Sequence, residues 1–225
     1  MSDFYSSNPR FYVSVDCIIF GLNQGRLSIL LAKRRFEPEK GKWSLMGGFV
    51  RTGESVADAA KRVLLELTGL RDVYMQQVGA FGEVDRDPGE RVVSVAYYAL
   101  INFDDHDRLR VMEHNACWIG LDEMPQLGFD HPAMIEQAFK LMQQKVTHEP
   151  VGLNLLPKLF TLTQLQSLYE VVLGEPIDKR NFRKRVAEMA FIEKTDMIDK
   201  TSSRRGASLY RFNDKAYSHA SKFKI

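Results

Sequence analysis

Three groups of residues in this sequence have the types and spacing to do chemistry. The first is GFVRTGESVADAAKRVLLELTGL at 48–70, a glycine-bearing loop running into a segment with Glu54, Asp58, Arg62 and Glu66. Carboxylates in such a place suit magnesium, which takes oxygen ligands together with the phosphates of a bound molecule. Asp58, Arg62 and Glu66, however, are spaced four apart and alternate in sign. On a helix they lie on one stripe and read as an ion-pair ladder worth about 0.3–0.5 kcal/mol per pair, which is the expectation here in preference to a metal site.

The second group could line a ligand pocket. Lys33, Arg34 and Arg35 end a strand and enter the glycine-rich loop, a place for anion contact. In FGEVDRDPGER at 81–91, Glu83, Asp85 and Arg91 can reach a pocket mouth and bond a polar ligand, while Trp43 and Phe49 offer flat surfaces for a ring. A solvated surface loop explains 81–91 equally well at this point.

The third group is DKRNFRKRVAEM at 178–189. Wound as a helix, Phe182, Val186 and Met189 fall within about 60° of one another and form a buried face. Arg180 and Lys184 then point the opposite way, with Arg183 to one side, Asn181 to the other, and Lys179 preceding them. Arginine suits guanine edges, asparagine suits adenine edges, and lysine serves phosphates, so the set fits a DNA major groove. Arg204 and Arg205 sit in the basic turn Lys200–Gly206, placed to reach the backbone or a minor groove.

These groups need elements to position them. Phe11, Val13, Val15, Cys17 and Ile19 alternate as a half-buried strand, and LSILLA at 27–32 follows a turn at 23–25. Residues 38–53, with Pro38 and four glycines, form a long loop. Ser55 caps a helix whose apolar face is Val56, Ala60, Val63, Leu64 and Leu67, and Gly69 ends it. Strands are expected at 92–101 and 116–121 and an amphipathic helix at 131–145. A change of character at 146–156 divides the chain into 1–148 and 149–225. The second part has helices at 162–173 and 178–190, broken by Gly174-Glu175-Pro176, then a basic turn entering a strand at 202–212.

The charge supports two parts with different partners. Residues 157–225 hold 14 Lys and Arg against 8 Asp and Glu, a net +6, leaving −4 on the rest. A hydrophobic fraction of 44% with 27% charge excludes fibrous and wholly disordered chains. Apolar runs are too short for a membrane span, the first ten residues are not a secretory leader, and Cys17 and Cys117 have no metal spacing. A cytoplasmic protein without metal or cofactor is expected.

The segment 48–70 resembles the Nudix signature in Gly48, Glu54, Arg62, Leu64, Glu66, Gly69 and Leu70, with Trp43, Leu45 and Gly47 matching upstream; Val63 and Leu67 stand where that family carries glutamates. The whole chain is similar to the NrtR-like Nudix-related transcriptional regulators, through LLPKLFTLTQLQSLYE, DKRNFRKR and SLYRF. The resemblance implies an α/β fold, a Nudix-like mixed-sheet α/β/α sandwich followed by a small winged helix-turn-helix domain. It also implies a dimeric repressor of a metabolic operon that binds double-stranded operator DNA and a small-molecule effector. Without the two glutamates, hydrolysis should be lost, with no catalytic residues. A neutral sugar such as the pentose L-arabinose is then the preferred effector over ADP-ribose, because a diphosphate in this fold leans on metal. The alternatives are an active Nudix hydrolase on a nucleoside diphosphate derivative and a protein-interaction module on a winged-helix scaffold.

Overall fold

The run Val15 to Phe20 lies at the centre of β1 (Tyr12–Asn23), buried on both faces, with Asp16 as its one charged member. Alternation alone implies a half-buried strand. Here both faces are covered because β1 is the middle of a mixed sheet with helices above and below it. The computed structural model describes residues 3–23, 25–102, 108–201 and 206–218.

After a short helix α1 (Asp3–Ser6), β1 is followed by β2 (Arg26–Lys33), β3 (Trp43–Ser44) and β4 (Met46–Phe49). The last two are short strands inside what the sequence reads as one loop. Then come α2 (Val56–Thr68), β5 (Tyr74–Phe81), β6 (Val92–Asn102), α3 (Arg108–Glu113), β7 (Ala116–Gly120) and α4 (His131–Val146). The strand order is β3-β2-β1-β6-β5, with β4 also on β1 and β7 also on β2. The β1–β6 pair is parallel and the other pairs are antiparallel. One side of β1 is shared: its first half pairs with β4 and its second half with β2, opening a fork near Cys17–Phe20.

Each sheet face buries one helix. Val15, Cys17 and Ile19 pack with Ala59, Ala60, Val63, Leu64 and Leu67 of α2. Ile18 and Phe20 pack with Met134, Ile135, Ala138 and Met142 of α4. Helix α2 forms as its sequence dictates: the Ser55 hydroxyl accepts the Asp58 N–H at 3.1 Å, and Gly69, at φ 75°, closes the end.

The second lobe begins after a 3-10 segment, Pro150–Leu155, that packs against β6 and α4. Its elements are β8 (Phe160–Thr161), α5 (Leu162–Leu173), α6 (Lys179–Ala187), β9 (Ile192–Asp199), β10 (Ala207–Phe212) and α7 (Asp214–Ser218). Strands order as β8-β10-β9, all antiparallel. Thr161 and Gln164 form a reciprocal capping box for α5. Helix α6 ends three residues earlier than expected, because Met189 turns off the helix into the core and Ile192 opens β9. That strand carries only weak alternation, too little for periodicity to reveal it. The Gln143 amide of α4 donates to the Val172 carbonyl of α5 at 2.8 Å, and one apolar cluster runs from Ile18 through Met142 to Leu165 and Phe182.

Candidate ligand cleft and nucleic-acid interface

At the β1 fork a cleft of about 390 Å³ opens between β1, β4, the 34–38 loop, the 86–87 loop and the start of α4. Its floor is a charged network that the sequence does not advertise. Asp16 is 8% exposed; it accepts from the Ser94 hydroxyl at 2.5 Å, and Arg86 Nη2 lies 3.7 Å from it. Arg86 also grips Asp130 with two bonds, Nε at 2.9 Å and Nη2 at 2.7 Å. Asp130 is the N-cap of α4, but its side chain makes no cap hydrogen bond, because Arg86 engages the carboxylate. Gly47 stands opposite Asp16 in the β1–β4 pairing, where an added Cβ would lie 2.5 Å from the Asp16 carboxylate and the Val15 carbonyl. Only glycine lets β4 approach this closely.

His131, the first residue of α4, completes the floor. Its Nδ1 accepts the Leu45 N–H at 3.1 Å, so that nitrogen is unprotonated and Nε2 faces Asp16 Oδ1 at 3.6 Å. Burial holds its pKa below the ordinary imidazole value, against the opposite pull of Asp16 and Asp130. Its position at a helix N-terminus disfavours a positive charge too.

The cleft wall carries Arg34. Its guanidinium is flanked by the rings of Phe36 at 4.7 Å and Phe129 at 4.8 Å, and Nε donates to the Pro38 carbonyl at 2.8 Å. Phe49 lies at the mouth, mostly exposed and 5.4 Å from the ring of Tyr12. Arg34 and Phe49 both line this cleft. The other five expected ligand residues do not line this cleft. Lys33 borders an adjoining cleft and lies over the Trp43 ring at 5.6 Å, and Trp43 packs against the core. Glu83 and Asp85 are exposed. Arg91 donates to the carbonyls of Glu83 and Gly82 and lies over the Phe11 ring, contacts that order the loop. A larger groove of about 1010 Å³ lies between the lobes, lined by Tyr74, Glu149, Lys158 and Tyr217 among others. It gathers no comparable buried charge network, so the smaller cleft is the better ligand site.

The 48–70 segment uses its charges on itself. Arg62 donates to both Glu54 oxygens, at 3.0 and 2.7 Å, and to the Phe49 carbonyl at 3.0 Å. Those bonds, with the Arg51 N–H, hold the Glu54 pKa down to about 2. Glu66 lies 3.5 Å from Arg62, as the ladder requires, but Asp58 does not join it: its carboxylate is 2.6 Å from the Ser55 hydroxyl at the helix cap. Val63 and Leu67 are buried against the sheet. Among the described residues, no three His, Cys, Asp or Glu side chains stand close enough to hold a metal ion.

In the second lobe, Phe182, Val186 and Met189 are buried, and Lys179, Arg180, Asn181, Arg183 and Lys184 are all exposed. Arg185, which helical spacing did not single out, is exposed beside them. Among the described residues none of these cations pairs with a carboxylate. Asp178 caps the helix through the Asn181 N–H at 2.8 Å. Tyr210 and Phe212 are half-buried, and the Phe212 ring meets Phe191 and Tyr217, which ties the β9–β10 hairpin to the lobe. Arg204 and Arg205 lie outside the described residues. No described helix is long and apolar enough to cross a membrane.

The same two parts recur in known proteins. Residues 10–139 match the NUDIX domain and residues 152–212 match the NrtR DNA-binding winged helix domain. The ADPR responsive transcriptional repressor NtrR of Acinetobacter baylyi is 38% identical over 92% of this chain and 84% of its own length. The structure of Shewanella oneidensis NrtR complexed with a 27mer DNA has a TM-score of 0.82, 32% identity, and covers 92% of this chain and 95% of that one. The NUDIX domain of the Shewanella protein complexed with ADP ribose has a TM-score of 0.53 and 29% identity over 62% of this chain and 93% of that one. With both domain types matched in order and the similarity running nearly end to end, the chain belongs to the NrtR-like transcriptional regulators, a Nudix fold followed by a winged-helix DNA-binding domain.

Proposed function

We propose that this protein is a transcriptional repressor that binds operator DNA through α6 and responds to ADP-ribose held, without hydrolysis, in the cleft beside Asp16 and Arg34. The observation that carries the DNA half is the exposed cationic side of α6 above a buried Phe182–Val186–Met189 face. The division at 148/149 and the DNA-contacting roles of Lys179, Arg180, Asn181, Arg183 and Lys184, with Arg204 and Arg205 in the wing, are part of this reading. So is a homodimer on paired half-sites about one helical turn apart.

ADP-ribose displaces the pentose as the preferred effector for a physical reason. A pentose needs only short polar contacts, whereas this cleft offers an arginine edge for phosphate and an exposed aromatic pair, Tyr12 and Phe49, on which a nucleobase can stack. The ADP-ribose-responsive relative and the ADP-ribose complex described above support the same choice. Loss of hydrolysis rests on Val63 and Leu67 being aliphatic and packed into the α2–sheet core, and on Glu54 being tied to Arg62. Metal-assisted cleavage of a diphosphate would lack the carboxylates that place its cations.

Helix α4 offers the link between the two activities. Its first turn forms the cleft floor and its last turns bond α5 through Gln143. The test is operator binding, with DNA selected from genomic fragments and titrated with ADP-ribose and L-arabinose in parallel. ADP-ribose should change operator affinity at concentrations where L-arabinose does nothing. A response to the pentose alone overturns the effector assignment, and an absence of any sequence-selective DNA binding overturns the whole reading.

A further inference from the structure

Of five arginines that line or approach the cleft, Arg62, Arg86 and Arg91 are each held by two or more protein acceptors, and Arg35 lies outside the cleft lining. Arg62 is held by Glu54 and the Phe49 carbonyl, and Arg86 by Asp130. Arg91 is held by two backbone carbonyls, and Arg35 reaches the Glu113 carbonyl from an exposed position. Arg34 is different. Among the described residues it has no carboxylate partner, and its one side-chain hydrogen bond, to the Pro38 carbonyl, uses Nε. The terminal nitrogens remain available.

We infer that Arg34 is the metal-independent phosphate anchor of this cleft and the residue by which it separates phosphorylated ligands from neutral sugars. This rests on the cleft being the effector site. The guanidinium carbon of Arg34 lies over the rings of Phe36 and Phe129, 4.7 and 4.8 Å from their centroids, so both rings occupy space beside it. Among the described residues Nη1 and Nη2 stay unbonded, and the edge between them presents two parallel N–H donors in one plane. That geometry matches two oxygens of one phosphate and gives little to a lone hydroxyl. A cation on aromatic rings is also less hydrated, so less water must be removed when an anion arrives.

The backbone at Phe129 points the same way. It adopts φ 55°, a left-handed conformation that a bulky side chain rarely takes. The neighbouring residues impose it: the Gly128 N–H donates to the Trp43 carbonyl at 2.8 Å, and Asp130 is clamped by Arg86. Strain of this kind persists where the surroundings over-determine it, and such places cluster at ligand clamps. Here its effect is to bring a ring against Arg34. The arrangement supplies, from side chains alone, the positive charge that bound cations would otherwise bring to a diphosphate.

The experiment is calorimetric titration of the full-length protein in EDTA with ADP-ribose, inorganic pyrophosphate and adenosine. Wild type is compared with Arg34→Lys, which keeps the charge but loses the fork, and Arg34→Gln, which loses both. Phe129→Leu serves as a variant that removes one of the two rings; circular dichroism and melting establish that each is folded. Wild type should bind ADP-ribose with the chelator present. Arg34→Lys should weaken ADP-ribose and pyrophosphate by about 10-fold and Arg34→Gln by about 100-fold, the range of a charged hydrogen-bonded contact. Adenosine binding should change by less than about 2-fold in every variant, since it has no phosphate. Phe129→Leu should fall between wild type and Arg34→Lys. If wild type binds ADP-ribose and both Arg34 variants bind it equally well, the anchor is elsewhere and the inference is overturned while the effector reading stands. Binding that is absent in EDTA but appears when magnesium replaces the chelator overturns metal independence. If wild type binds neither ADP-ribose nor pyrophosphate in either buffer, the effector reading and the inference fall together.

Discussion

Removing Arg86 tests the cleft floor most directly. Its side chain is 4% exposed and neutralises Asp130, 21% exposed, and Asp16, 12% exposed. Arg86→Leu keeps the apolar stem but leaves two carboxylates in a poorly solvated place. Breaking one side of a buried ion pair costs about 3–5 kcal/mol, most of it from the charge left behind. For a domain of this size that is a fall in melting temperature of roughly 6–20 °C. The assay is urea unfolding of the purified protein followed by tryptophan fluorescence and circular dichroism, which must coincide for the free energies to be compared. If the penalty is orphaned charge, Arg86→Leu combined with Asp16→Asn and Asp130→Asn should be more stable than Arg86→Leu alone by at least about 1 kcal/mol. A loss below about 1 kcal/mol for the single change, or a further loss in the triple variant, would refute the view that this network is an electrostatically closed unit.

Val63→Glu should lower stability by more than about 3 kcal/mol in the same assay, because it puts a carboxylate between α2 and the sheet; it should gain no magnesium- or manganese-dependent hydrolysis of ADP-ribose. His131 has a folded pKa below its free value of 6.5, so on acidification the unfolded chain takes the proton first. Its share of stability is therefore complete above about pH 6.5 and is lost as the pH falls from there towards the folded value; denaturant midpoints at pH 7.5 and 5.5 should differ more for wild type than for His131→Gln, and parallel shifts would count against it. The Arg180, Arg183 and Lys184 triple alanine variant should bind operator at least about 100-fold more weakly with an unchanged melting temperature. Its salt slope should be shallower by about 0.9 for each phosphate that is no longer neutralised; unchanged operator affinity would remove α6 as the reading helix.

What the sequence reveals and what it hides divide along local and distant contacts. The α2 cap, its apolar face, the turn after α5 and the buried side of α6 are legible because each is decided within a few residues by periodicity and capping. The cleft floor is assembled from β1, the 86–87 loop, β6 and the start of α4, and no local spacing connects those segments. One signal is present. Asp16 interrupts VDCIIF, and a carboxylate inside a central strand requires a partner elsewhere. The partner, Arg86, sits in the loop from which charge density alone singles out Glu83, Asp85 and Arg91. Such a loop does not say which of its ions turn inward, and Arg91 satisfies the loop's own carbonyls instead.

The 48–70 segment keeps the bracing of a Nudix fold while two of its signature glutamate positions are aliphatic. Glu54 and Arg62 still brace the loop entering α2, which holds β4 and Phe49 in place beside the cleft. Val63 and Leu67, where the Nudix signature has glutamates, belong to the core, adding about 1.5–3 kcal/mol of apolar burial for a fully buried side chain of this kind. On the proposed reading, a ligand that is not turned over stays bound long enough to act as a signal. Binding alone, however, shifts no equilibrium; a ligand changes DNA affinity only if it binds the DNA-competent and DNA-free conformations unequally. On the proposed reading, His131 is placed to feel that difference, because it lines the cleft and opens α4, the helix whose far end bonds α5.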